Sequence, residues 1–195
     1  WSASPPRVRV EENTLELAHR ARSELDVVAV LTGAVGGRET TADRLVAALE
    51  RRPRMARRRF VVRVLADLAE GVQSVLEHRF LTRVVRAHGL PACRWQSPRR
   101  GRRGREYRDA EFGPFGVVVE LDGEGNHGSW AAGERDAERD LADAAAGMVT
   151  VRLRWGQVGD RPCHTAGQLG AVLTARGWTG RPHPCGSGCG LADAA

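Results

Sequence analysis

The stretch Val117-Val118-Val119-Glu120-Leu121-Asp122-Gly123 restricts the fold more than any other part of the chain. A short, nearly unbroken apolar run between turn residues reads as a strand covered on both faces, and such strands belong to sheets flanked by helices. Two carboxylates interrupt the run. Residues two apart in a strand share a face, ~6.5–7 Å apart along it, so Glu120 and Asp122 project together. Val117, Val119 and Leu121 take the other face. Carboxylates set side by side in a valine-rich strand are costly unless a cation or hydrogen bonds neutralise them.

The turn signal Gly113-Pro114-Phe115-Gly116 joins this strand to an earlier one around Glu106–Phe112, making a hairpin. A turn centred between Pro114 and Phe115 places Asp109 opposite Glu120. A register two residues different places Asp109 opposite Asp122. In either case three carboxylates share a face, and like charges opposed across a sheet call for a cation among them. Hard oxygen donors suit Mg²⁺ or Mn²⁺. His127, in the glycine-rich loop Gly123–Gly128, can fold back over the strand end as a general acid or base, or as a phosphate contact. The competing structural readings are ion pairs with neighbouring arginines for the carboxylates and a solvated loop position for His127.

Around this hairpin the punctuation predicts a helix, three strands, a helix, a strand and a last helix. The first helix opens at Ser74-x-x-Glu77 and carries Leu76, Phe80, Leu81, Val84 and Val85 at helical spacing as far as Gly89. Cys93–Ser97 is a strand, and the arginine–glycine segment Arg99–Arg105 turns the chain into the next. Ser129–Ala146 is a helix, Met148–Trp155 a strand and Arg161–Arg176 a helix. This is an α/β order in which an antiparallel meander meets a crossover strand.

Residues 1–72 read as helices. Thr14 to Arg22 is short, Ser23 with Asp26 caps a second, Thr40 with Asp43 opens a third, and Pro53 begins a fourth that ends at Gly71. Arg54, Arg57, Arg58 and Arg59 gather at the start of the fourth helix, where cations oppose the macrodipole. They form either a solvated face or a phosphate-contacting patch. The expected organisation is a helical region over 1–72, an α/β domain over 73–178 and a flexible Gly/Pro/Cys tail over 179–195.

All 30 basic residues are arginine, so chemistry that needs a lysine is excluded: Schiff-base catalysis, a Walker-type phosphate loop and a lysine-dependent nuclease centre. Residues 1–108 hold 23 arginines against 12 acidic residues, and residues 109–195 hold 7 against 12. The first part can contact an acidic polymer while the second collects carboxylates. No apolar run suits a membrane span. The four cysteines are too few for a disulfide scaffold, and a reducing cytoplasm is the expectation. Cys163, His183, Cys185 and Cys189 have the number and type of ligands for zinc. Their spacing is not a common one, and a tail whose cysteines bind nothing is the favoured reading.

Taken together these stretches resemble the PD-(D/E)xK nuclease superfamily, in the branch similar to the very short patch repair endonuclease. Residues 12–189 also look like uncharacterised proteins of high-GC bacteria that join such a domain to a winged helix related to antitoxins of the abortive-infection type IV systems. The segments carrying the likeness are ENTLELA, EGVQSVLEHRFL, HGLP, YRDAEFGPFGVVVELDG, ERDAERD, VRLRWGQV, RPC and RGWTGRPHPCGSGC. The resemblance implies an upstream winged helix, and the non-methionine start, Trp1, is consistent with the expectation that it has been lost.

The resemblance implies a restriction-endonuclease-like α-β-β-β-α-β core. Asp109 and Glu120 become metal ligands, Asp122 stands where the superfamily motif has lysine, and Glu77 becomes the first-helix glutamate that helps hold the metal. His127 becomes the histidine of the repair branch. Arg108 replaces the proline that normally precedes the motif aspartate. Ser74-x-x-Glu77 is also a capping box, which places a glutamate there for structural reasons alone.

The implied activity is metal-dependent hydrolysis of DNA phosphodiesters using Mg²⁺ or Mn²⁺. Arg99, Arg100, Arg102, Arg103 and Arg105, with Arg135 and Arg139 of ERDAERD, are the candidate DNA contacts; a salt-bridged face is the plainer reading of ERDAERD. The alternative is a nuclease fold without hydrolysis, retained as a regulator that binds DNA or a toxin or operon partner.

Overall fold

The computed structural model describes residues 7–101, 104–123 and 130–191, apart from the side chains of residues 100, 101, 130–133 and 135. The chain divides into two units, residues 1–78 and 79–195. The architecture is mixed α/β: a four-stranded sheet in the second unit and a helical first unit. No helix among the described residues is long and apolar enough to cross a membrane.

The first unit is built on α1 (Val10–Arg20), α2 (Glu24–Gly36), α3 (Ala42–Glu50) and α4 (Arg58–Ala69). Each helix turns one apolar stripe inward, and Leu15, Val27, Leu31, Leu45, Val61, Val64 and Leu65 are wholly buried in a common core. Hydroxyls fix where two of the helices begin. Ser23 Oγ accepts from the Asp26 N–H at 3.1 Å, and the Asp26 carboxylate accepts from the Ser23 N–H at 3.0 Å, a complete capping box. On α3 the cap is Thr41, which accepts from the Arg44 N–H at 3.3 Å. Thr40, the expected cap, instead donates its hydroxyl to Glu11 at 2.8 Å.

The fourth helix begins at Arg58 and not near Pro53, because Arg57 adopts a left-handed conformation (φ 52°). The arginines at its start have a structural use. Arg57 donates to the carbonyls of Ala21 (3.0 Å) and Arg22 (3.1 Å), just past the end of α1. Arg58 donates to Leu49 (3.0 Å) and Arg52 (2.6 Å) at the end of α3. Helix C-termini leave carbonyls unsatisfied and carry negative partial charge, so cations that oppose the dipole of α4 complement those of two neighbours.

Helix α5 (Val75–Arg79) continues as a π-helical stretch, Phe80–Arg86, where α-helical spacing was expected throughout. In the second unit β1 (Arg94–Gly101), β2 (Gly104–Phe112) and β3 (Val117–Asp122) form an antiparallel meander, and β4 (Val149–Arg154) pairs parallel to β3. Helix α6 (Trp130–Ala145) makes the crossover between β3 and β4, and α7 (Pro162–Ala175) packs on the π-helical stretch. Strand β1 runs through Pro98, beyond the expected end at Ser97. It is an edge strand, the position in a sheet where proline is tolerated. The turn is correspondingly tighter than the expected Arg99–Arg105, because Gly101 already pairs with Gly104.

Val117, Val118 and Val119 are completely buried, as a strand covered on both faces requires, with Phe112 and Ala110 equally buried beside them. Phe80 meets Trp95 edge-on, ring centroids 6.2 Å apart. Leu45→Ala removes a wholly buried side chain from the core of the first unit. It is expected to lower stability by about 2–5 kcal/mol in urea titration; a change below about 1 kcal/mol contradicts the packing described.

Candidate functional site

The hairpin pairs Ala110 with Val119, Glu111 with Val118 and Phe112 with Val117. Extending that register by one step sets Asp109 against Glu120, the first of the two registers the turn allowed. The Asp109 carboxylate also reaches across the strand end, accepting from the Leu121 N–H at 2.7 Å. Burial raises the Asp109 pKa, the Asp122 charge raises it further, and the Leu121 N–H partly offsets both. Burial first, then the Asp109 charge, lifts the Glu120 carboxyl from its ordinary 4.5 to about 7. Arg139 on α6 and Arg152 on β4 pull in the other direction without cancelling the shift.

Parallel pairing brings Arg152 alongside Glu120 and Arg154 alongside Asp122. Arg152 forks onto Asp140 at 2.8 and 3.2 Å and lies 3.9 Å from Asp122. One turn along α6, Asp143 is almost fully buried and binds Arg108 (2.7 Å), Arg99 (2.9 Å) and the Thr150 hydroxyl (3.3 Å). Helix α6 thus lays carboxylates over the arginines of β1, β2 and β4. The i,i+4 like-charge pair Asp136/Asp140 in ERDAERD is tolerated because Asp140 binds Arg152 on the sheet and Asp136 contacts Arg139.

The remaining expected site residues divide. Glu77 serves the start of α5: its N–H donates to Ser74 Oγ at 3.1 Å, and its carboxylate accepts from the Gln73 N–H at 2.8 Å. His127, Arg102 and Arg103 lie outside the described residues, as do the side chains of Arg100 and Arg135. Arg99 is mostly buried between Asp143 and Glu106, whereas Arg105 is exposed on β2.

The cysteines give the clearest departure from expectation. Among the described residues, one group of His, Cys and carboxylate donors lies within mutual ligating distance. It is His88, Cys163, Cys185 and Cys189, whose donor atoms all fall within 4.8 Å of one another. Asp109, Glu120 and Asp122 are not drawn together to that degree. His183, the imidazole expected in the cysteine set, is exposed, with Nδ1 3.3 Å from the Pro184 carbonyl. Its place is taken by His88, whose nearest cysteine in the sequence, Cys93, is not part of the cluster. No family model matches this chain, and no curated protein or solved structure matches it either.

Two outcomes follow. A folded pKa raised above the unfolded one gives Glu120 a contribution fully present below about 4.5 and lost as pH rises through about 7. Relative to Glu120→Gln, and without added divalent cations, the wild type should lose on the order of 1–2 kcal/mol between mildly acidic and mildly alkaline pH. That figure is discounted for partial exposure. Parallel pH dependence of the two proteins in thermal unfolding contradicts it. Asp143→Ala leaves Arg99 and Arg108 as buried cations without their shared carboxylate, and urea unfolding should show a loss of about 3–5 kcal/mol.

Proposed function

We propose that the second unit is a metal-dependent DNA endonuclease of the very-short-patch-repair-like kind, with Asp109 and Glu120 as its principal metal ligands. The observation that carries the reading is the placement of two partly buried carboxylates on adjacent strands at the β2–β3 end. Burial and then the Asp109 charge lift the Glu120 carboxyl, and among the described residues Arg139 and Arg152 offset that shift only in part. The element order also fits: a helix, three antiparallel strands, the crossover helix α6 and a strand parallel to the third match the α-β-β-β-α-β core expected of such enzymes.

The donor chemistry suits a hard cation, since Asp109 and Glu120 offer only oxygens. Bound Mg²⁺ or Mn²⁺ would supply an activated water and offset the charge that builds on phosphate. Asp109 and Glu120 would hold the ion. Asp122 replaces the superfamily lysine and its carboxylate faces Arg152, so it takes part only after leaving that partner. Arg139, close enough to lower the pKa of both Asp109 and Glu120, is placed to meet a phosphate oxygen once the carboxylates are neutralised. Arg105, exposed on β2, can contact the DNA backbone with a guanidinium fork. His127 is assigned proton transfer in place of the absent lysine.

One observation favours the second reading, a nuclease fold that binds DNA or an operon partner without cutting. The arginines and carboxylates of β1, β2, β4 and α6 are largely paired with one another. The deciding experiment is plasmid nicking by the full chain with Mg²⁺ or Mn²⁺. The nuclease reading expects nicking that falls at least ~100-fold in Asp109→Ala and Glu120→Ala, the scale of losing a group that stabilises transition-state charge. Activity unchanged by either substitution overturns the assignment. Absence of nicking, with salt-sensitive DNA binding intact, establishes the regulator.

A further inference from the structure

Three cysteines and a histidine from three separated parts of the second unit meet at one point. His88 follows the π-helical stretch, Cys163 lies in the first turn of α7, and Cys185 and Cys189 come from the C-terminal segment. We propose that these four side chains bind one Zn²⁺ in a tetrahedral Cys3His site that clamps the segment beyond α7 onto the rest of the unit.

The distances carry the assignment. Cys163 Sγ and Cys185 Sγ are 3.7 Å apart, and Cys189 Sγ is 3.6 Å from His88 Nε2. A disulfide needs sulfurs ~2.05 Å apart, so the first pair is not bonded. Tetrahedral zinc, with Zn–S ~2.3 Å and Zn–N ~2.0–2.1 Å, spaces two sulfurs ~3.8 Å apart and a sulfur and a nitrogen ~3.5 Å apart. Both measured separations match edges of that tetrahedron.

The imidazole is set for ligation. His88 is wholly buried and its Nδ1 is 3.2 Å from the Val84 carbonyl. A carbonyl can only accept, so Nδ1 carries the proton and the Nε2 lone pair faces the thiols. Zinc-bound histidines are held by this kind of outer hydrogen bond. Three thiolates and one Zn²⁺ leave a single negative charge, and the position of Cys163 at the start of α7 places part of it near a positive helix end.

The segment has features of a strap that must lie close. Residues 179–189 form no helix or strand and most are exposed, so apolar burial contributes little to holding them. Glycines clear the path. A Cβ on Gly89 would sit 2.5 Å from His183 Nε2, and one on Gly170 would sit 2.3 Å from Pro182 Cγ. The His183 N–H donates to the His88 carbonyl at 3.0 Å, so the segment pairs with the backbone of the very residue proposed as a ligand. His183 therefore positions the strap, while His88 binds the metal. A soft thiolate set also takes zinc in preference to Mg²⁺, which separates this structural site from the carboxylates of the hairpin.

The test uses the full chain, expressed with zinc and purified without chelator. Metal analysis should find about one Zn²⁺ per chain. Cobalt replacement should show the intense visible bands of a tetrahedral ion with thiolate-to-cobalt charge transfer. Cys185 is exposed, so Cys185→Ser should fold yet lose stoichiometric zinc. His183→Ala and Cys93→Ser should keep it. Chelation of the wild type should expose the chain after Trp178 to proteolysis. The proposal is overturned by zinc well below one per chain with four freely reactive thiols in the folded protein, or by a Cys163–Cys185 disulfide. It is equally overturned if Cys185→Ser and His183→Ala retain the metal alike.

Discussion

Asp109 and Glu120 stand partly buried on neighbouring strands, and the groups around them leave both carboxyls with raised pKa values. Asp109 takes the Leu121 N–H, which a ladder running one step further would have left to the backbone. Glu120 has Arg152 beside it on β4, but Arg152 gives its fork to Asp140. Arg139 reaches both carboxylates electrostatically without making either an ordinary exposed acid. A sheet needing only stability would have apolar residues here, since buried ion pairs seldom improve on hydrophobic packing. The persistence of two acids at the end of a valine strand is the physical reason to look for a cation.

A second balance of charge lies beside the first. Asp143 joins Arg99 and Arg108, so the arginine-rich meander and the acidic crossover helix hold each other in place. Part of the strong basic bias of the early sequence is therefore taken up by contacts within the protein. Arg57 and Arg58 cap the ends of other helices, and Arg99 is enclosed. Arg105 is the candidate contact of the hairpin with both a described side chain and solvent exposure.

Much of the α/β order was legible because its signals are local. The valine run, the Gly-Pro turn and the Ser23 box each act over a few residues, and the turn alone sufficed to offer the register that brings Asp109 to Glu120. Features set by distant partners were not legible. Thr40 and Thr41 are equivalent caps in sequence until Glu11 takes the Thr40 hydroxyl. Arg57 and Arg58 oppose their own helix, and only the folded positions of α1 and α3 explain them. Pro98 suggests a strand end unless the strand is known to lie at an edge. His88 is separated from every cysteine of its cluster by most of the second unit, while His183, adjacent in sequence, faces elsewhere.

Calorimetric titration of the full chain with Mg²⁺ shows most directly whether the hairpin carboxylates are a hard-cation site, as proposed. Thiolates do not compete for this ion, so the cysteine cluster does not contribute. One Mg²⁺ site is expected in the wild type, and it should disappear in both Asp109→Asn and Glu120→Gln. A folded protein with no heat of Mg²⁺ binding, or with binding indifferent to both substitutions, contradicts it.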